Sequence, residues 1–254
     1  MPIDIPENLL PLKCRAWKPI VREEDGEISA SKFSGQPLLA ENEEHPICPN
    51  CERPMQLFVQ LNLDDLPVEV ENEYGTGIVQ LFYCTSEEPL CEVDCEAFFP
   101  FSKSVTARLI EQTNTSSVQS PVAPRIAAEI ADTKPQVWDD KNFFPPKVIV
   151  GWEPLDDYPN PDEAETLGVE LSDEEADDIY ESGYPLAGDK LAGYPMWVQG
   201  IEYPNCPLCG GQMRLLFQID SEDNLPYMFG DVGCAHLTQC REHKEQLAFG
   251  WACG

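Results

Sequence analysis

The spacing of the cysteines is the part of this sequence that translates most directly into chemistry. Cys48-Pro49-Asn50-Cys51 and Cys206-Pro207-Leu208-Cys209-Gly210-Gly211 each hold two thiols separated by two residues. At that separation one tight turn presents both sulfurs to a single ion. Zinc takes thiolate and imidazole in a tetrahedron, so each pair needs two further ligands from elsewhere in the chain. The glycines after Cys209 accept left-handed backbone angles, which turn amides toward sulfur. Eleven cysteines, an odd number, fit poorly with a fully paired disulfide framework. A thioredoxin-like pair would start a helix after a βαβ strand, whereas these pairs precede strand-like segments.

A repeat nominates the missing ligands. Between residues 32 and 65, 12 of 34 positions are identical to those 158 residues further on; composition alone gives roughly two or three. The matches include Lys32/Lys190, Gly35/Gly193, Pro37/Pro195, both cysteine pairs and Gln60/Gln218. At an offset of 156, Gly77, Leu81 and Cys84 match Gly233, Leu237 and Cys240. Cys84 and Cys240 are therefore the expected third ligands. For the fourth, the first copy offers Cys91 or Cys95 and the second offers His243 or Cys253; Cys91 and His243 are preferred. The expected content is two structural Zn²⁺ per chain, in closed sites with no position open for a substrate or an activated water. Cys14 and Cys234 read as ordinary buried or free thiols.

The elements that must position these ligands are mostly strands. In Gln56–Leu63, Leu57, Val59, Leu61 and Leu63 alternate with Gln56, Phe58, Gln60 and Asn62, the period of a half-buried strand. Arg214–Asp220 repeats this with Leu215, Phe217 and Ile219 on one face. Ile78–Cys84 is a denser apolar run that suits a more central strand, and Cys234–Cys240 is its weaker counterpart. Lys147–Trp152 reads as one more strand. Two short acidic helices follow. Asn160 caps the first, Pro161 and two acidic residues open it, and Gly168 ends it. Ser172 and Glu175 form a capping box for the second, which Gly183 and Pro185 stop. Its run of acidic residues reads first as a solvated face suited to the helix dipole, with a docking face for a basic partner as the alternative. The paired Lys-x-x-Gly-x-Pro elements read as fixed turns whose lysines hydrogen-bond across them or face water. Gln60 and Gln218 read as amides that satisfy neighbouring backbone groups.

The expected fold class is α+β, predominantly β: an internal duplication of a β-rich module, each copy with a zinc-ribbon-like Cys cluster. Residues 1–30 form an N-terminal extension and 31–111 the first module. Residues 112–185 form a linker and acidic helical connection, and 186–254 the second module, packed on the first as one unit. Gln112–Pro124, uncharged and rich in Ser, Thr and Pro, is the expected linker.

Composition narrows the function. Sixteen basic against 46 acidic residues give a net charge of −30 and a pI near 4.1. Nucleic-acid binding is disfavoured, because phosphate contacts need clustered cations, and Leu12–Arg22 and Lys103–Arg108 hold only a few. No membrane partner is expected, since no stretch of 18 apolar residues occurs. Met1–Leu12 lacks the basic start and apolar run of a secretory signal, so a cytoplasmic location with reduced thiols is expected. Twenty-four prolines, about twice the usual share, favour turns and short elements over a helical bundle. There is no P-loop, G-x-S-x-G elbow, H-E-x-x-H helix or Rossmann fingerprint, and only three histidines.

In Ser31–Pro37, Gln60–Leu63, Leu81–Tyr83, Phe217–Ser221, Gly230–Gly233 and the ending Trp251-Ala252-Cys253-Gly254, the sequence resembles the bacterial YwqG-like family, a domain family of unknown function. The middle segment from Gly151-Trp152-Glu153 through Asp157-Tyr158-Pro159 is similar too, and the motifs occur in order from Ser31 to the C-terminus. Many relatives have fewer cysteines, so metal binding rests on the spacing above. A broader similarity links such duplicated modules to eukaryotic programmed-cell-death and ribosome-biogenesis proteins, some of which chaperone a basic ribosomal protein. The resemblance implies a binding role. The expected function is a zinc-stabilised, non-enzymatic protein-binding module, an acidic adaptor or chaperone for a basic client protein. The alternative is an enzyme of unknown reaction, with a pocket at the junction of the modules lined by Lys32, Lys190 or Gln218.

Overall fold

Ten strands carry the chain in the computed structural model, which describes residues 5–39, 43–70, 72–110 and 144–254. In order they are Cys14–Arg22 (β1), Lys32–Phe33 (β2), Gln56–Asn62 (β3), Ile78–Tyr83 (β4) and Val105–Ile110 (β5). Lys147–Asp157 (β6), Lys190–Ala192 (β7), Arg214–Asp220 (β8), Cys234–Gln239 (β9) and Leu247–Ala252 (β10) complete them. The α-helices among the described residues are Cys91–Asp94 (α1), Pro161–Thr166 (α2) and Asp173–Ser182 (α3). The protein is predominantly β. The expected linker Gln112–Pro124 lies outside the described residues.

One antiparallel sheet runs in the order β10-β9-β8-β7-β1-β6-β2-β3-β4-β5. Its outer strands β5 and β10 approach each other, so the sheet nearly closes into a barrel. Beside this seam the Trp251 amide donates to Phe98 O at 3.1 Å. Exchanging β1 with β6, β2 with β7, β3 with β8, β4 with β9 and β5 with β10 leaves the strand order unchanged apart from direction. The register follows the same rule: Lys32 faces Gln60 and Lys190 faces Gln218. The β3–β4 ladder shifts between Leu57 and Val59, and the β8–β9 ladder between Leu215 and Phe217. β1 and β6 pair with each other at the centre, while β1 also pairs β7 and β6 also pairs β2.

β3 departs from the half-buried expectation, for all seven of its residues are buried. The reason is that its polar face is covered by loop backbone bonded to its amides. Gln60 Oε1 accepts from Leu38 N at 3.0 Å, and its Nε2 donates to Ile28 O and Ala30 O, both at 2.9 Å. On β8, Gln218 Oε1 accepts from Met196 N at 2.8 Å, and Nε2 donates to Leu186 O and Gly188 O at 3.1 and 2.8 Å. β4 and β9 are likewise buried throughout. The inside of the near-barrel is aromatic: Phe58 packs on Tyr83, Phe144, Tyr227 and Phe229 with ring centroids 4.9 to 6.0 Å apart. Truncating such a ring costs about 3–5 kcal/mol.

The helical punctuation acts as the residue types require. Asn160 Oδ1 accepts from Glu163 N at 2.7 Å, and Ser172 with Glu175 makes the full capping box. Gly183 ends α3 at φ +77°, a conformation costly for residues with a Cβ.

Candidate metal centres

Each Cys-x-x-Cys lies in a tight turn ahead of a strand. Before β3, Cys48 N donates to Arg53 O at 2.9 Å and Glu52 N to Cys48 O at 2.8 Å. Before β8, Cys206 N donates to Gly211 O and Gly210 N to Cys206 O, both at 2.8 Å. Gly210 has φ +71°. In the first turn Glu52 takes the matching left-handed place at φ +59°. The residues flanking each turn form matching bridges, Ile47 with Pro54 and Asn205 with Gln212. Cys84 follows β4 and Cys240 follows β9, while Cys91 opens α1 and His243 lies in the turn after Cys240.

These segments bring the eight residues into two groups. Cys48, Cys51, Cys84 and Cys91 form one; Cys206, Cys209, Cys240 and His243 form the other. Within each group the ligand atoms lie within 4.8 Å of one another. Cys95 and Cys253 belong to neither. All eleven cysteines are free thiols.

The separations can be compared with what an ion requires. A tetrahedral zinc with sulfur ligands at about 2.3 Å has sulfurs about 3.8 Å apart. Cys48 Sγ lies 3.8 Å from Cys91 Sγ, and Cys51 Sγ 3.6 Å from Cys84 Sγ. Cys209 Sγ is 3.7 Å from Cys240 Sγ, and His243 Nδ1 is 3.9 and 3.8 Å from the sulfurs of Cys206 and Cys240. A disulfide would hold sulfurs at about 2 Å. Four thiols, or three thiols and an imidazole, are a soft donor set matched to zinc-like ions, and both groups could hold a metal ion.

Local electrostatics favour a thiolate in each group. Burial pushes the Cys48 thiol up, but amides of Cys51 and Asn50 and the neighbouring thiols outweigh it, so its pKa falls below the ordinary value. Burial also opposes ionisation of Cys240, yet the amides of His243 and Glu242 bring its pKa down to about 6. One of those donors, His243 N, is 3.3 Å from the Cys240 sulfur. The surroundings differ. Cys48, Cys84 and Cys91 are buried, whereas Cys209 is exposed at the tip of its turn. Asn50 Nδ2 donates to Cys91 Sγ at 3.4 Å, a contact not anticipated from sequence although Asn50 stands inside the cysteine pair.

The repeated lysines do not face water, and Lys32 makes the expected bond across its turn, Nζ donating to Gln36 O at 3.1 Å. Lys32 and Lys190 are both buried. Lys32 Nζ bonds Asp25 Oδ1 at 2.7 Å, and Lys190 Nζ bonds Asp157 Oδ2 at 2.9 Å. The same carboxylates accept from Gln36 N and Tyr194 N, the matching amides of the two turns. Asp157 stands in a segment that resembles the YwqG-like family, but the sequence assigns neither aspartate a role as the lysine's partner.

A family model described as Domain of unknown function (DUF1963) matches residues 31–250. No curated protein matches the chain. Among the described residues, no helix is long and apolar enough to cross a membrane.

Proposed function

The chain belongs to the DUF1963 family, and we propose that it is a zinc-stabilised, non-enzymatic protein-binding module, an acidic adaptor or chaperone for a basic client. The metal part rests on the two four-residue groups, whose separations suit a tetrahedral ion. Zinc is the natural occupant, since it needs no redox partner and accepts closed thiolate-rich cages. Each cage would staple a turn to the end of a neighbouring strand, in the manner of a zinc ribbon, and link metal binding to folding. The mirrored strand order, the matched bridges and the repeated lysine–aspartate pairs support descent from a doubled module resembling YwqG-like proteins. Reduced thiols at these positions are consistent with a cytoplasmic location.

The observation that supports a basic client is charge. The chain carries −30, and residues 160–188 hold ten carboxylates with no Lys, Arg or His. A surface of that sign speeds encounter with a cationic protein and loses its pull as salt rises. The enzyme alternative is weaker, because Lys32, Lys190 and Gln218 are buried and engaged with neighbouring carboxylates and backbone. Pull-downs at low and high salt test the reading. Basic proteins should be retained at low salt and released at high salt; recovery of no basic protein under either condition would count against it.

A further inference from the structure

Between the start of β1 and the turns around the second cysteine group lies a cavity of about 500 Å³, within the range of small-molecule sites. Three of the chain's seven arginines, Arg15, Arg214 and Arg241, line it. That is a concentration of scarce cations in a chain of net charge −30. Arg15 is paired with Asp156 at 2.6 Å, and Arg214 with Glu73 at 2.5 Å. The Arg214 guanidinium lies 4.2 Å over the Tyr74 ring, and its Nε is buried with no hydrogen-bond partner. The Arg241 side chain is exposed and has no ion pair or hydrogen bond among the described residues. Lys244 stands close by and donates to Glu73 O at 2.5 Å.

The matched halves make these cations informative. At the positions equivalent to Arg214 and Arg241, the first half carries Gln56 and Thr85, both uncharged and buried. Arg214 and Arg241 stand on the segments that bear the ligands of the second cysteine group, of which Cys209 is exposed. Arg214 follows Cys209 by five residues, and Arg241 lies between Cys240 and His243. The walls also decide what kind of anion suits the space. Tyr194 and Tyr203, both half-buried, supply aromatic surface, with Trp17 and Tyr74 buried behind it. Glu69, Glu73 and Glu163 line it too, which disfavours a doubly charged guest. Of these, Glu73 is paired with Arg214, and Glu163 accepts from Tyr203 and Trp197 at 2.6 and 3.2 Å.

We propose that this cavity binds a small organic monocarboxylate with a planar apolar body, its carboxylate held by the Arg241 guanidinium beside Arg214 and its body against Tyr194 and Tyr203. The cavity stands on its own geometry; only the rigidity of its cationic wall rests on metal at the second group.

Titration of the full chain with benzoate tests this, with benzyl alcohol and inorganic phosphate as comparison probes and zinc content measured on every sample. Benzoate should bind in the millimolar range or tighter, more strongly than either comparison probe. Arg241→Met should weaken it by about tenfold or more, as expected for loss of a charged hydrogen bond. Arg241→Lys should recover part of the loss, and Lys103→Met, placed away from the cavity, should change nothing. Absence of benzoate binding at about 10 mM, equal binding by the Arg241→Met chain, or tighter binding of phosphate would each overturn the proposal. Arg241-dependent binding by a chain without zinc would uphold the cavity and refute the metal reading; a zinc-loaded chain that ignores benzoate would refute the cavity alone.

Discussion

Lys190 Nζ lies 2.9 Å from Asp157 Oδ2, with both side chains almost wholly withdrawn from water. In the other half the equivalent pair, Lys32 and Asp25, is 2.7 Å apart, but the Asp25 side chain remains about one-third exposed. Coulomb attraction in a buried site is large, yet so is the cost of desolvating both ions, and removing one partner leaves the other charge stranded. Asp157→Ala should therefore cost about 3–5 kcal/mol of folding stability. Asp25→Ala should cost less, about 1–3 kcal/mol, because water can take the place of the partly exposed carboxylate. Urea unfolding of the two variants checks the order, and equal losses would contradict it.

Gln60 and Gln218 should prove interchangeable in energetic role. Each alanine variant removes an acceptor from one loop amide and a donor from two loop carbonyls. Orphaned buried groups cost about 1–3 kcal/mol each. Comparable losses are expected at both sites, with a larger one at Gln60, whose Oε1 also accepts from Gln80 at 2.8 Å. Denaturation midpoints at fixed slope measure this, and a neutral Gln218→Ala would contradict it.

The legibility of these features differed by physical kind. Cysteine spacing and the repeat pointed to the eight residues that the fold brings together, since ligand turns need fixed separations. β1 carried no comparable signal. Its sequence, Cys-Arg-Ala-Trp-Lys-Pro-Ile-Val-Arg, mixes charges and proline with apolar residues. For Lys32 and Lys190 the sequence leaves two readings, a hydrogen bond across the turn or a surface charge, because lysine is usually exposed; Lys32 takes the first, donating to Gln36 O at 3.1 Å. Their aspartates lie 7 and 33 residues away, at different separations, so no repeat offset links them. Full burial of β3 and β9 was hidden for a related reason. Gln60 and His236 count as polar in any pattern, and only the loops folded over them make burial tolerable.

Acid should destabilise the protein partly through His236. Burial, and then the Lys190 charge, lower its pKa from 6.5 to about 3. The unfolded chain thus binds a proton that the folded chain refuses, so this group's contribution to stability is lost as pH falls from about 6.5 toward 3. Asp189 acts in the opposite sense, for burial and Asp223 raise its pKa to about 7, and its contribution fades as pH rises. Comparing native protein with His236→Gln isolates the histidine. The stability of native protein relative to His236→Gln should fall on acidification, by on the order of 5 kcal/mol at most. A pH-independent difference would contradict it.

Serine substitutions separate the fourth ligands from their sequence alternatives. Cys91→Ser should release one equivalent of metal and loosen the turn at Cys48, while Cys95→Ser should release none. His243→Ala should release the second ion and Cys253→Ser should leave it in place. Metal content of each purified variant reads the outcome directly, and loss of metal on replacing Cys95 or Cys253 would contradict the assignment.

The account stands or falls on metal in the native chain. Elemental analysis of purified, untagged protein should find about two zinc ions per chain, with chelation loosening or unfolding the fold. A content below about one zinc per chain, in protein that is folded and fully reduced, would contradict it.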